Sequence, residues 1–507
     1  MNPMKTKHIT FNRRQSFGIL SALFLLGYSA IIRADFLYMD DMGRAYSGTM
    51  DWTFGRVLNN VLSYLMSFST ELNDVSPLTQ ILAALLLALS AVVLIFEVYP
   101  KERCTIADLA AGSILALNPY FLECISYKFD APYMAFSIFA SILPIAFRKK
   151  KWYPAVAFLG VLGMCCTYQA SSGIFPMVVI AYTIGCIARN EGTKKERGSF
   201  FLTSALCWLA SLLFYRLVIM NLFYREPSYV SASLPSLPEL LPTYLDHMGQ
   251  YLSLVRSDFR VQWLLFAALI VLFYLLFQIG STVKTGTSLS AGQKAGRILL
   301  ILAGTGLMTV LMFGIYPFLS KPIFACRAMY GFCVLLCLLA LGTTESLPDR
   351  KILVRAGRAL AVLSVCCLSW CFFSFAFTYG NALDQQKSYI ETRMQMVTDD
   401  LVANNIIPED QEVNLTMEGS LGYSPVVERI SEHFPILEGR LVPGMFTDST
   451  WGFGNYMDYY PLPNVRYEGA DSFPSGDLPL VRDTSLYKVC SDGTSIRVIW
   501  KEATSEN

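Results

Sequence analysis

Charge is scarce in this chain: 16% of its 507 residues are Asp, Glu, Lys or Arg, against roughly 25% in soluble domains. With 54% hydrophobic residues and a mean hydropathy of +0.43, that shortage excludes an ordinary soluble globule and places the chain in a bilayer. The net charge of +1 gives no electrostatic footprint for nucleic acid. Histidine is scarcer still: His8, His247 and His433 are the three present, and none lies in an apolar run. Haem-bridging cytochromes and His-Glu-x-x-His membrane proteases need intramembrane His and are excluded; His-dependent O-acyltransferases fit poorly for the same reason. No Gly-rich phosphate loop opens a strand–helix unit, so no nucleotide site is indicated. The thirteen Cys form no Cys-x-x-Cys pair. Twelve, from Cys104 to Cys371, lie in or beside apolar segments, and only Cys490 sits in polar sequence. They read as small hydrophobes rather than a disulfide or zinc framework, and the chain calls for no metal or other cofactor.

What is abundant is apolar sequence in runs long enough to span. About eleven candidates emerge from a roughly twenty-residue window, near 16–33, 77–99, 105–121, 131–147, 152–168, 170–188, 200–222, 261–280, 298–318, 323–342 and 359–379. The pieces at 105–121 and 131–147 are among the shortest of these. Basic residues alternate between the connections. One set holds 21, including Arg13, Arg14, the run Arg148 to Lys151, Lys194 and Lys195; the other holds nine, including Arg44, Arg56, Lys128 and Arg327. The positive-inside rule then predicts a cytoplasmic N-terminus, and the odd count an outward C-terminus. Arg13-Arg14 before a run ending Tyr28-Ser29-Ala30 also fits a signal peptide; the reading favoured here keeps this segment as the first span, because cleavage would strand the following loop.

The apolar character stops near Tyr379. Residues 380–507 carry charge, Pro and Gly throughout. Helical spacing of Tyr389, Ile390, Val397 and Leu401 predicts that the last span continues outward as an amphipathic helix. Alternation over Val413 to Met417, and Asp492-Gly493 between two β-rich runs, predict strands and a hairpin. The expected fold is an α-helical polytopic membrane protein with a small C-terminal extracytoplasmic α/β domain, divided into 1–379 and 380–507. The sequon Asn414-Leu415-Thr416 carries little weight alone.

The outward loops concentrate the unusual residues. The first reads Tyr38-Met39-Asp40-Asp41-Met42-Gly43-Arg44-Ala45-Tyr46, then Asp51-Trp52-Thr53-Phe54-Gly55-Arg56. Carboxylates serve as general bases and Arg partners phosphate. A plainer reading makes Asp40-Asp41 a helix cap, the Arg and Lys side chains headgroup anchors and Tyr38, Tyr46 and Trp52 an interfacial belt. Beyond Thr53, apolar residues at spacings of three and four predict a helix lying flat in the interface. A second loop holds Asn118-Pro119-Tyr120, Glu123 and Tyr127-Lys128-Phe129-Asp130. The third, about 222–260 and rich in Pro, reads as a solvated connector. Ionisable residues within spans are few, Arg216 being the clearest, which argues against ion-coupled transport.

Asp-Asp-x-x-Arg followed by Trp-x-x-Gly-Arg after the first span resembles the polytopic glucosyltransferases of the bacteriophage serotype-conversion (Gtr) type, within the broader GT-C-like class. The blocks around Asn118 to Asp130, Tyr168-Gln169-Ala170-Ser171 and Arg327 resemble later blocks of that family, so the likeness covers roughly residues 10–380. It implies transfer of a sugar, glucose by family habit, from polyprenyl phosphate to a glycan such as O-antigen, teichoic acid or wall polysaccharide. The outer face of the bacterial cytoplasmic membrane is the expected place. It further implies partners: membrane lipid, a polyprenyl-phosphate glucosyl synthase and a flippase to supply donor. By analogy with related motifs, Asp40 is the expected base and Asp41 its orienting or acceptor-binding neighbour. Arg44, Arg56, Lys128 and Arg327 are expected on the donor phosphate, and Trp52, Asp130, Tyr168 and Gln169 on the acceptor or sugar. A lipid-linked-sugar flippase or exporter would use the outer cavity without catalysis, and an extracytoplasmic sensor would use the tail to bind a ligand.

Overall fold

The computed structural model describes residues 9–50, 55–223, 233–287, 289–344, 352–444, 450–473 and 476–501. Trp52 lies outside the described residues. Among them, seven helices are long and apolar enough to cross a membrane, or eight if one bent pair counts as a single span. The chain is therefore a mostly helical membrane protein. Each expected apolar run falls on a helix, but those over 131–147, 153–165 and 331–344 are shorter than the seven. The run at 105–121 divides at Asn118-Pro119, where the helices Ile106–Leu117 and Pro119–Ser126 meet at 53°. Pro119 cannot continue the ladder but suits a first helical turn, and the Asn118 side chain accepts the Phe121 N–H at 3.0 Å.

The first helix, Arg13–Ala34, opens on a capping box: the Asn12 side chain accepts the Gln15 N–H, and the Gln15 side chain accepts the Asn12 N–H, both at 3.0 Å. Its 22 residues span about 33 Å, which sets two ends for the molecule. At the Arg13 end, Glu97 takes Arg13 and Arg148 at 2.6 Å each, beside the basic Lys149 to Lys151. At the other end lies Asp40, which opens the helix that follows Ala34. The helix packs along the 52-residue helix Ile352–Ala403. There Gly380 permits backbone contact, since a methyl group at its Cα would sit 2.5 Å from the carbonyl carbon of Ala30.

One loop reading needs revision, and a second gains detail. The segment expected as a solvated connector contains the helix Leu237–Asp258. Tyr244, Met248, Tyr251 and Val255 are buried along one face, an i, i+4, i+7, i+11 stripe that the prolines obscured. Pro238 stands in the first turn, where its missing N–H costs nothing. The helix expected to lie flat is Val57–Ser67, and it buries its polar side: Asn59 and Ser63 point inward while Val61 and Leu65 are exposed. Ser63 meets the Tyr133 hydroxyl at 2.5 Å.

The long helix runs unbroken through residue 379, so no turn marks the expected domain boundary, and near its end Asp400 pairs with Arg482 and accepts the Tyr487 hydroxyl of the sheet. That sheet has five strands in the spatial order Val465–Tyr467, Val413–Glu418, Ser495–Trp500, Tyr487–Ser491, Leu480–Asp483. The hairpin pairs Val489 with Val498 and Ser491 with Ile496, turning through Gly493 at φ 91°, a backbone state that favours Gly. Arg440 docks the domain with a forked pair to Asp258, Nε–Oδ1 3.1 Å and Nη2–Oδ2 2.9 Å, while the Tyr120 hydroxyl donates to the same carboxylate at 3.0 Å.

Candidate functional site

The acidic pair opens a short helix, Asp40–Ser47. The residue before it, Met39, holds φ 50° and ψ −105°, a strained conformation for a residue with a Cβ. This turn sends the two carboxylates to different places. Asp41 is fully buried; its Oδ2 accepts the backbone N–H of Lys128 at 2.8 Å and of Tyr38 at 3.3 Å, stitching the first loop to the second. Asp40 stays 41% exposed and does not cap its helix, since Met39 is the capping residue. Packing raises the Asp40 pKa above the ordinary carboxylate value, with Arg44 opposing the shift. Burial raises Asp41 much further, against the Lys128 N–H.

Arg44 lies one helical turn past Asp40, with Nη2 3.9 Å from its Oδ2. Its guanidinium is fixed by an ion pair to the buried Asp130. Arg327 is held likewise: its Nη1 donates to Glu123 Oε1 at 2.6 Å, its backbone N–H to the other oxygen, and its guanidinium lies 5.5 Å from the Tyr127 ring centre. Arg56 follows Gly55, whose φ of 69° and closeness to Tyr215 (a Cβ would stand 2.7 Å from that hydroxyl) explain the Gly-Arg spacing. The Arg56 guanidinium sits 4.7 Å from the Tyr168 ring centre and its Nε donates to Gln169 at 3.4 Å; Gln169 Nε2 donates to the Tyr215 hydroxyl at 2.8 Å. Arg44, Arg327 and Arg56 all act electrostatically on Asp40. Arg44 is the guanidinium within ion-pair range of this half-exposed carboxylate, and Arg327 and Arg56 add smaller favourable charge.

Several sequence-predicted residues serve as supports. Asp130 and Tyr168 are buried and brace Arg44 and Arg56. Lys128 is not gathered into the cluster: its amine pairs with Asp35 and with Asp74 on another cavity. Tyr38 is no interfacial residue; it is buried and donates to the Leu441 carbonyl at 2.8 Å. Sequence reasoning missed Tyr215 and assigned Glu123 no role. Glu123 had a signal, a carboxylate inside apolar sequence, whereas Tyr215 looked like any span aromatic.

Beside Arg56 and Gln169 an apolar groove opens, walled by Leu209, Leu213, Ile315 and Leu319. Its polar lining is confined to a few groups, Arg56, Gln169, Arg216 and Lys321 among them. Among the described residues no group of three or more His, Cys, Asp or Glu could hold a metal ion.

The family model described as Glucosyl transferase GtrII matches residues 29–338. A protein of Salmonella phage P22, described as an uncharacterized 55.3 kDa protein in the gtrB 5′ region, is 23% identical over 442 residues, 85% of this chain and 87% of its own length. No solved structure matches.

Proposed function

Because this chain belongs to the glucosyl transferase GtrII family, we propose that it moves a sugar, glucose by family, from polyprenyl phosphate to a surface glycan on the outer face of the bacterial cytoplasmic membrane. The observation that carries this reading is an apolar groove with Arg56 at its rim, Arg56 belonging to the same loop as half-exposed Asp40 and its ion-pair partner Arg44. A polyprenyl chain suits the groove, because its burial is favourable at roughly 25 cal/mol per Å², and its phosphate would stop at the guanidiniums. A GT-C-like fold and supply by a synthase and flippase belong to the same proposal.

Asp40 acts as general base. It takes the proton of an acceptor hydroxyl as the oxygen attacks the anomeric carbon, and the bond from that carbon to the phosphate oxygen breaks. The phosphate monoester leaves with the electron pair, and Arg44, Arg56 and Arg327 offset its growing charge. Their partners Asp130, Gln169 and Glu123 hold them in place, so little reorganisation accompanies reaction. Asp41, without exposure, positions the loop.

The test is turnover of purified protein with polyprenyl-phosphate glucose. Base catalysis contributes about 10²–10⁴-fold, so Asp40→Asn is expected to insert and bind donor yet transfer at least about a hundredfold more slowly. Wild-type rates in that variant would remove Asp40 from the role; persistence of glycan modification in cells carrying it would favour export without catalysis.

A further inference from the structure

A second cavity lies between the first loop and the C-terminal domain, and the transferase chemistry leaves it unused. Tyr456, Tyr459 and Tyr460 line one wall, Lys387 and Glu391 of the long helix another, and Met42 of the Asp40 helix its inner side. Tyr460 is 47% exposed and meets Tyr459 edge-on at 4.7 Å and Tyr456 at 4.9 Å. The charges on its lining are two cations, Lys128 and Lys387, and three carboxylates, Asp35, Asp74 and Glu391. Lys387 reaches the Asp35 carbonyl at 3.1 Å and its carboxylate at 3.8 Å.

That chemistry selects an occupant. A net acidic lining repels phosphate and other polyanions. Charged groups in the wall penalise a lipid tail, which would strip their water without replacing it. A pyranose fits both features: its C–H face packs on tyrosine rings, and its hydroxyls bond to Glu391, Lys387 and the phenol oxygens. Position says which sugar. Met42 lies two residues from Asp40, about 200° around a helix about 10–12 Å across, so the cavity is behind the reacting carboxylate.

We propose that this cavity is a remote subsite for the acceptor glycan, binding a neutral sugar unit beyond the one that reacts. Binding energy gathered there holds a polymeric acceptor over Asp40 and is forfeited by a short one. The helix Asn455–Tyr459 packs on the Asp40 helix, with Asn455 Oδ1 3.3 Å from where a Cβ on Gly43 would stand. The C-terminal domain thereby acquires the role of acceptor selection.

The proposal rests on the transferase reading, and direct binding separates the two. The probes are unmodified surface polysaccharide purified from the same cells after this protein has been deleted, and its single repeat unit, each titrated against the full-length protein in detergent. Tyr459→Ala/Tyr460→Ala is expected to weaken polysaccharide binding and raise the polymer KM about tenfold, with donor KM and kcat on the single repeat unit unchanged. Glu391→Gln, an exposed isosteric change that leaves folding intact, should weaken the same binding several-fold. Unaltered polysaccharide binding in both variants, no binding by the wild type, or equal losses on polymer and single unit would overturn the subsite. Binding without transfer would sink the transferase reading and the acceptor role with it, leaving the cavity as a glycan-binding site only.

Discussion

At the scale of single residues, two neighbouring carboxylates acquire opposite environments from one strained turn. Asp41 spends one oxygen on two backbone N–H groups, and an amide can accept the same bonds. Asp41→Asn should therefore keep the fold and most activity, whereas Asp41→Ala leaves two buried donors unpaired at about 1–3 kcal/mol; thermal unfolding of both variants reads the difference. For Asp40 the prediction is about pH. A base must be ionised, and its pKa lies above the usual carboxylate value, so the acid limb of kcat/KM should also lie above that range. Arg44 lowers the Asp40 pKa, so Arg44→Gln removes a charge that favours the carboxylate and should move the limb to higher pH. A limb that stays put in Arg44→Gln would separate Asp40 from the titration.

At the scale of elements, the first and last long helices approach where Gly380 faces Ala30. Small residues let helix backbones touch in a membrane, where lipid offers apolar surface as readily as protein does. Gly380→Leu should separate the pair at a cost of about 1–3 kcal/mol, seen as a lower unfolding temperature in detergent. Because the long helix also carries Lys387 and Glu391 into the second cavity, the same variant should lose more rate on polymeric acceptor than on a single repeat unit.

For the whole molecule, the proposed topology puts every argued function on one side of a membrane. Ser47 is exposed at the end of the Asp40 helix. Ser47→Cys should react with an impermeant thiol reagent in intact cells, above the background of native Cys490. Labelling only after lysis would reverse the orientation and withdraw the outward donor and acceptor together.

Local pattern was enough for some of this. Apolar runs located helices because a continuous run of about twenty apolar residues in lipid can pair its backbone groups within itself only as a helix; Asp492-Gly493 located the hairpin because the turn demands a φ that Gly supplies; and Asp-Asp-x-x-Arg stood out because those groups are costly beside a bilayer. The sequence by itself thus determined that this is a helical membrane protein with a small sheet domain, and which loops hold its polar chemistry. Only the tertiary structure decided which carboxylate meets water, that Lys128 turns to Asp35 and Asp74, and that Glu123 and Asp130 brace Arg327 and Arg44. Glu123 and Arg327 are partners 204 positions apart, and burial depends on what the whole chain brings alongside. The buried stripe of Leu237–Asp258 escaped for the same reason: its prolines are legible locally, but the surface that covers its aromatics comes from distant helices.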